Sequence, residues 1–208
     1  MHKKILVAAL AMAGLVSAGG VYADDSGFMV RARAVSISWD NANKSGLDSI
    51  PVVGKVEAKD LWIPEVDVSY FFNKNLALEL VLTYPQTIDI QTSNLGKIGK
   101  VDALPPSLML QYHFSDLGAF KPYVGAGLNY TLFTKKSFDT ALGKISVDQT
   151  SLGLAGQVGF DYFLTKNVSL NVDVKYIQMA TDVKLDGAKI GKLGLNPITA
   201  GVGVGYRF

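Results

Sequence analysis

Cysteine is absent from the 208-residue chain. An exported protein of this size without disulfides must be held together by its own core or by a membrane. Histidine is nearly absent too: only His2 and His113 occur, which starves both metal ligation and histidine-assisted nucleophilic catalysis. No charge of one sign dominates. Beyond Lys3 and Lys4, basic and acidic side chains are equal in number, so there is no basic excess to hold nucleic acid. Long apolar runs are missing except for residues 5–16, which follow the basic start "MHKK" and precede "SAGGVYA", with small Ala23 at the end and Val21 two before it. That is the pattern of a secretory signal peptide, too short at its core to span a membrane. Cleavage is expected after Ala23, leaving 24–208 as one domain. No other segment approaches the roughly 20 apolar residues of a spanning helix, which excludes a helical membrane protein. The chain is nonetheless 49% hydrophobic with 21 glycines, so a soluble β protein and a membrane β-barrel remain.

What is present is alternation. From Phe28 onward apolar and polar residues alternate with period two, which predicts strands at about 27–38, 62–72, 76–84, 106–114, 122–134, 151–164, 168–179 and 197–208. The connections alternate in length. "NKN" (73–75), "SDLGAFK" (115–121) and "TKN" (165–167) are short turns, whereas 39–61, 85–105, 135–150 and 180–196 are long, polar and rich in Gly, Lys, Asp and Ser. Eight strands with long loops at one end and short turns at the other predict an all-β fold, an eight-stranded antiparallel transmembrane β-barrel of the outer-membrane type.

The two faces support this. One carries no charge in any strand, as in Leu76, Leu78, Leu80, Leu82 and Tyr84, or Val168, Leu170, Val172, Val174 and Tyr176. A soluble barrel would turn that face inward. Against it stand the aromatics: Tyr70, Phe72, Tyr112, Phe114, Phe160, Tyr162, Tyr206 and Phe208 gather at the turn end, and Trp62, Tyr84, Tyr130 and Tyr176 at the loop end. Two aromatic girdles around an aliphatic band match two lipid–water interfaces. The last strand, "PITAGVGVGYRF", turns Ile198, Ala200, Val202, Val204, Tyr206 and Phe208 to lipid and Gly201, Gly203, Gly205 and Arg207 to the lumen. Closure sets it beside the first strand, where the glycines leave room for Arg31 and Arg33. A nucleotide-binding reading of these glycines fails because no helix follows them.

The lumen reads in two storeys. Below, Arg31, Arg33, Lys175 and Arg207 face Asp67, Glu79, Asp161 and Asp173. An eight-stranded interior is just wide enough for side chains, so these groups are expected to pair into a plug. Above lie Val35, Ile37, Ile63, Val81, Met109, Phe133, Ile177 and Met179, with Glu65 breaking the pattern among them. An apolar well on an ionic floor suits a small hydrophobic ligand that enters from outside. Such a ligand cannot cross the floor, and a sideways exit is expected where Pro85 ends the third strand and Pro105 and Pro106 begin the fourth. Beyond Val35, Ser36 and Ser38 face lipid unless a bulge intervenes.

The blocks "LPPSLMLQYHF" (104–114), "KPYVGAGLNYTLF" (121–133), "AGQVGFDYFL" (155–164) and the final "GVGYRF" resemble the OmpW family of small outer-membrane proteins, including the AlkL-type proteins, in matching order over the whole mature chain. The resemblance implies an eight-stranded barrel with an apolar channel, linked to uptake of hydrophobic molecules and lateral diffusion into the membrane. It carries the lateral opening onto Leu104, Pro105 and Pro106. Some members serve as colicin receptors, so a closed barrel acting as anchor or phage and colicin receptor through its loops is the competing expectation. An enzyme is not expected: His113 points into the lumen beside Gln111 with no serine placed next to it. No metal ligand set and no cofactor are expected. The acceptor-like "NKS" (43–45) and "NYT" (129–131) are discounted, the second lying in a spanning strand. The expected surroundings are the Gram-negative outer membrane, its lipid and lipopolysaccharide, small hydrophobic ligands, and the outer-membrane assembly machinery, whose terminal signal Phe208 resembles.

Overall fold

The computed structural model describes residues 27–40, 42–44, 56–92, 96–138, 145–185 and 188–208. The expected signal peptide at 1–23 and its cleavage point lie outside them. The described residues form strands and no helix: β1 (Gly27–Trp39), β2 (Ala42–Lys44), β3 (Val56–Ala58), β4 (Leu61–Phe71), β5 (Leu76–Thr83), β6 (Gln86–Thr92), β7 (Gly96–Leu104), β8 (Ser107–His113), β9 (Phe120–Phe138), β10 (Ile145–Val147), β11 (Thr150–Phe163), β12 (Val168–Ile177), β13 (Ala180–Leu185), β14 (Ala188–Gly194) and β15 (Pro197–Arg207).

Eight of these close on themselves in the order β1-β4-β5-β8-β9-β11-β12-β15, every pair antiparallel, with β15 returning to β1. They match the eight strands expected from alternation. Closure removes the unpaired edges that an open sheet would present. Two of the short turns are held by side chains. Asn73 Oδ1 accepts from the backbone N–H groups of Asn75 and Leu76 at 2.8 and 2.9 Å. Thr165 Oγ1 accepts from those of Asn167 and Val168 at 3.2 and 3.0 Å. Such local bonds mimic a backbone turn and set the register of both hairpins.

The long connections are more ordered than a reading as polar loops implies. β6 and β7 form a hairpin, β9 runs on to Phe138, and β7 pairs with its upper half. β10, β13, β14 and β2 make a separate four-stranded sheet. Ile88, Val101, Val147, Val183 and Leu195 from these segments are buried together with Val81, Met109 and Phe133. Sparse apolar residues among Gly, Lys and Asp give no clear period-two signal, so alternation alone misses strands of this kind.

Inward and outward faces separate along the barrel. Leu108, Leu110, Leu128, Val174, Val202 and Val204 are exposed on the outside, as are Trp62, Tyr84, Tyr112 and Tyr206 of the two girdles. β1 pairs without interruption with both neighbours, so no bulge rescues Ser36 and Ser38. Ser38 is exposed at the loop end and donates to Asp60 Oδ2 at 3.0 Å.

Register brings Arg31 opposite Gly205, Arg33 opposite Gly203 and Val35 opposite Gly201. A Cβ at 203 would lie 2.1 Å from the Ala32 carbonyl oxygen and 2.7 Å from Arg33 Cγ. One at 205 would lie 2.5 Å from Met29 Cε and 3.2 Å from Arg31 Cγ. The glycines therefore leave the volume that the arginine stems occupy. Gly203→Ala is expected to destabilise the barrel by about 1–3 kcal/mol through overpacking. Gly156→Ala, where nothing lies within 4 Å of the added carbon, should change little. Urea unfolding of the two variants in lipid vesicles compares them.

Candidate functional site: an ionic plug beneath an apolar well

The lower lumen is filled by one network. Arg31 donates to Asp161 through Nε at 3.0 Å and Nη2 at 2.7 Å, and through Nη1 to Asp67 at 3.1 Å and Ser69 at 2.8 Å. Arg33 reaches four carboxylates: Glu79 at 2.7 Å, Glu65 and Asp173 at 3.2 Å each, and Asp67. Lys175 Nζ lies 2.9 Å from Glu65 and 2.6 Å from Asp173. Amides and a phenol complete the shell. Gln157 Nε2 donates to Glu79 and Asp173 at 3.0 and 2.9 Å, Tyr123 Oη to Asp173 at 2.8 Å, and Gln111 to Glu79. These groups are buried. The partners come from strands around the whole circumference, so the network crosses the lumen and ties its walls together.

Glu65 lines the apolar space among the residues above, as expected, and its carboxylate also turns to Arg33 and Lys175 and joins the plug. Its position beside Arg33 across the β1–β4 pair explains this, because an unpaired carboxylate in an apolar well would be costly. Arg207 lies at the turn end, half-buried, with its guanidinium 4.2 Å from the centre of the Phe71 ring. There it makes a cation–π contact below the plug. Ser69, Tyr123 and Asn171 belong to the network and were not singled out from the sequence. Their inward parity was the available signal, and as neutral residues they carried no charge to draw notice. His113 is buried between the Phe71 and Tyr123 rings at 4.8 Å from each, with its Nε2 3.0 Å from Gln111 Oε1.

Above the plug, Val35, Ile37, Ile63, Val81, Met109, Phe133, Ile177 and Met179 are all buried, in two apolar clusters. The space left where most of them meet Trp39, Thr83, Ser107 and Thr199 is about 30 Å³. That holds a water molecule and no ligand. Among the described residues no group of three His, Cys, Asp or Glu side chains is placed to hold a metal ion.

Ladder pairing between β5 and β8 ends at Val81–Ser107 and resumes between β6 and β7 at Gln86–Ala103. Residues 82–85, ending in Pro85, and 104–106, holding Leu104, Pro105 and Pro106, have no ladder partners across this seam. On the other side the wall is kept: Tyr130 N donates to the Pro106 carbonyl at 3.0 Å, and Asn129 Nδ2 to the carbonyls of Pro105 and Pro106 at 3.3 and 3.1 Å. Successive residues of an antiparallel strand address alternate neighbours. Pro106 thus addresses β9, and it is Pro105 that withholds an N–H from the seam with β5.

Lipid-facing girdles, a closed eight-stranded wall and a sealed ionic interior define an outer-membrane β-barrel. A profile of the OmpW family matches residues 24–208. An uncharacterized outer-membrane protein, y4mB, of Sinorhizobium fredii is 40% identical over 91% of this chain and 83% of its own length. Outer membrane protein W of Vibrio cholerae is 32% identical over 99% and 100%. The crystal structure of the outer-membrane protein OprG from Pseudomonas aeruginosa superimposes with a TM-score of 0.74 at 28% identity, covering 89% of this chain and 97% of that one. The chain belongs to the OmpW family and is a protein of the outer membrane.

Arg33 is the group on which most carboxylates converge. Arg33→Met leaves them facing one another in a water-poor lumen, and a loss of about 3–5 kcal/mol is expected, read from urea unfolding in lipid vesicles. Lys74→Met, which removes an exposed pair with Asp116, should cost under about 1 kcal/mol.

Proposed function

We propose that this barrel takes up small hydrophobic molecules from outside, holds them in the upper lumen, and releases them sideways into the bilayer between β5 and β8. The observation that carries the reading is the coincidence of an apolar well, a plugged floor and a lapse of ladder pairing at the height of the well. A ligand resting on the plug has no path downward, because crossing would mean breaking buried ion pairs. The lapse between 82–85 and 104–106 offers a path outward. Val81, at its lower edge, is both a well residue and the last paired residue of β5. Selectivity would come from Val35, Ile37, Ile63, Val81, Met109, Phe133, Ile177 and Met179. Passage requires these side chains to move apart, since the space between them is about 30 Å³.

That small volume favours a second reading, a closed barrel serving as anchor or surface receptor for phage or colicin through its loop-end sheets. In both readings the protein is not an enzyme. Its one histidine beyond the leader is enclosed by aromatic rings and an amide, which suits a packing role. We also read 1–23 as a signal peptide and 24–208 as the mature barrel. Lipopolysaccharide and the assembly machinery acting on Phe208 are the expected partners.

The test is uptake of a labelled alkane by cells that lack and then regain the protein. Restoring it should speed uptake. Pro105→Ala supplies one ladder donor to the seam, and slowing of about fivefold is expected at equal barrel levels, the worth of one hydrogen bond. Pro106→Ala, facing β9, should leave uptake near the wild-type rate. Acceleration insensitive to Pro105 keeps the channel and removes this exit. No acceleration for any apolar probe transfers the function to the closed receptor.

A further inference from the structure

A hollow of about 570 Å³ lies between the top of β11 and the β12–β13 junction, lined by the exposed Leu152 and Tyr176 and by the buried Ser151, Met179 and Asn196. Its origin is a mismatch of chain length. Gln178 N donates to the Leu154 carbonyl at 2.8 Å, and Asp148 N to the Asp182 carbonyl at 3.2 Å. Between those two bonds β11 and its lead-in spend 149–153, whereas the other chain spends only 179–181. The ladder cannot close over that stretch. Ser151 Oγ bridges it by accepting from Ala180 N at 3.1 Å.

The lining is divided by height. Leu152 and Tyr176 are exposed on the outward face, with Tyr176 in the loop-end girdle. Asp148, Asp182 and Lys192 stand around the same hollow. The hollow therefore straddles the boundary between acyl chain and headgroup. Both carboxylates are already occupied. Asp148 lies 2.7 Å from Lys184 Nζ, and Asp182 lies 2.5 Å from Lys189 Nζ. The hydrogen bond from Lys189 holds the Asp182 carboxyl below its ordinary range, so it stays ionised and paired. Donors stand beside them. Lys192 faces Asp182 across the β13–β14 pair and adds to the field that keeps it ionised, while the direct ion pair to that carboxylate is made by Lys189. Ser151 accepts from the backbone and keeps its O–H to give. Asn196 is more than nine-tenths buried, and its Oδ1 accepts from Met179 N at 3.1 Å. That bond fixes the amide and leaves Nδ2 as its free end.

A pocket with its carboxylates ion-paired, donors at Lys192, Ser151 and Asn196, and an apolar outward rim fits an anion carried on an acyl chain. We propose that this hollow is a binding site for the anionic phosphate headgroup of an outer-leaflet lipid, with Lys192, Ser151 and Asn196 on the phosphate and Leu152 and Tyr176 against the first chain segments. The site shares only Met179 with the lining of the well, lies away from the β5–β8 seam and does not depend on the uptake reading.

The experiment is native mass spectrometry of the whole mature protein in detergent, incubated with a phosphatidic acid. A phosphatidylcholine of the same chains tests the net charge, and inorganic phosphate tests the need for chains. Phosphatidic acid should be retained in preference to phosphatidylcholine. Lys192→Glu should lower its retention about tenfold, the worth of one charge-assisted hydrogen bond. Lys74→Glu makes the same charge change at the turn end and should lower nothing. Each variant's fold is checked by its resistance to unfolding in the cold detergent sample. Equal retention of the two lipids, or retention unmoved by Lys192→Glu, overturns the site. Displacement of phosphatidic acid by an equal concentration of inorganic phosphate overturns the lipid assignment and leaves a free-phosphate site.

Discussion

Arg33 touches Glu65, Asp67, Glu79 and Asp173, and the rest of the barrel is arranged around the need to satisfy it. An eight-stranded barrel has no room inside for loosely held charge. A guanidinium there must meet carboxylates at hydrogen-bond distance, and these must in turn be shared with other donors. Arg31, Lys175, Gln111, Gln157 and Tyr123 supply that sharing. Because the partners sit on β1, β4, β5, β8, β9, β11 and β12, the network fixes the relative heights of strands that never pair with each other. It also demands space, which the glycines of β15 provide.

The plug explains why the molecule has two ends of different character. Below it the lumen is packed with aromatic rings and Arg207. Above it the lumen turns apolar, and the wall extends into hairpins that bury further apolar residues. The prolines of the β5–β8 seam and the unequal chain lengths of β11 and β12–β13 both lie on this upper side, as do the register shifts in the β6–β7, β7–β9 and β13–β14 pairs. The plug braces the lower wall from within. Among the described residues the upper lumen is packed mainly by apolar side chains, and irregular backbone is tolerated where it faces a cavity or an interface.

Much of this was legible from alternation. Period two gives strand identity and face together, so the eight barrel strands, the girdles, the members of the well and the charged lumen residues could be named one by one. The glycine–arginine fit was legible because closure of an eight-stranded antiparallel barrel forces first and last strands together. Alternation does not give side-chain direction along the strand. Height therefore gives Glu65 its place in the lining of the well but not the reach of its carboxylate to Arg33 and Lys175, and it does not give the stacking of Arg207 on Phe71. The polar segments concealed β6, β7, β10, β13 and β14 for a related reason: their apolar residues are too few to show a period.

The sequence by itself determined that the chain is a lipid-facing barrel, which residues line its interior, and that the charges inside must pair. Those properties follow from residue order on a strand, and order is all that a period-two pattern needs. Only the tertiary structure decided which carboxylate serves which cation, that Pro105 rather than Pro106 faces the seam, that the well is filled by its own side chains, and that a hollow opens between β11 and β13. Each of these depends on register and distance between segments far apart in the chain, and no local pattern of residues encodes a distance across the lumen.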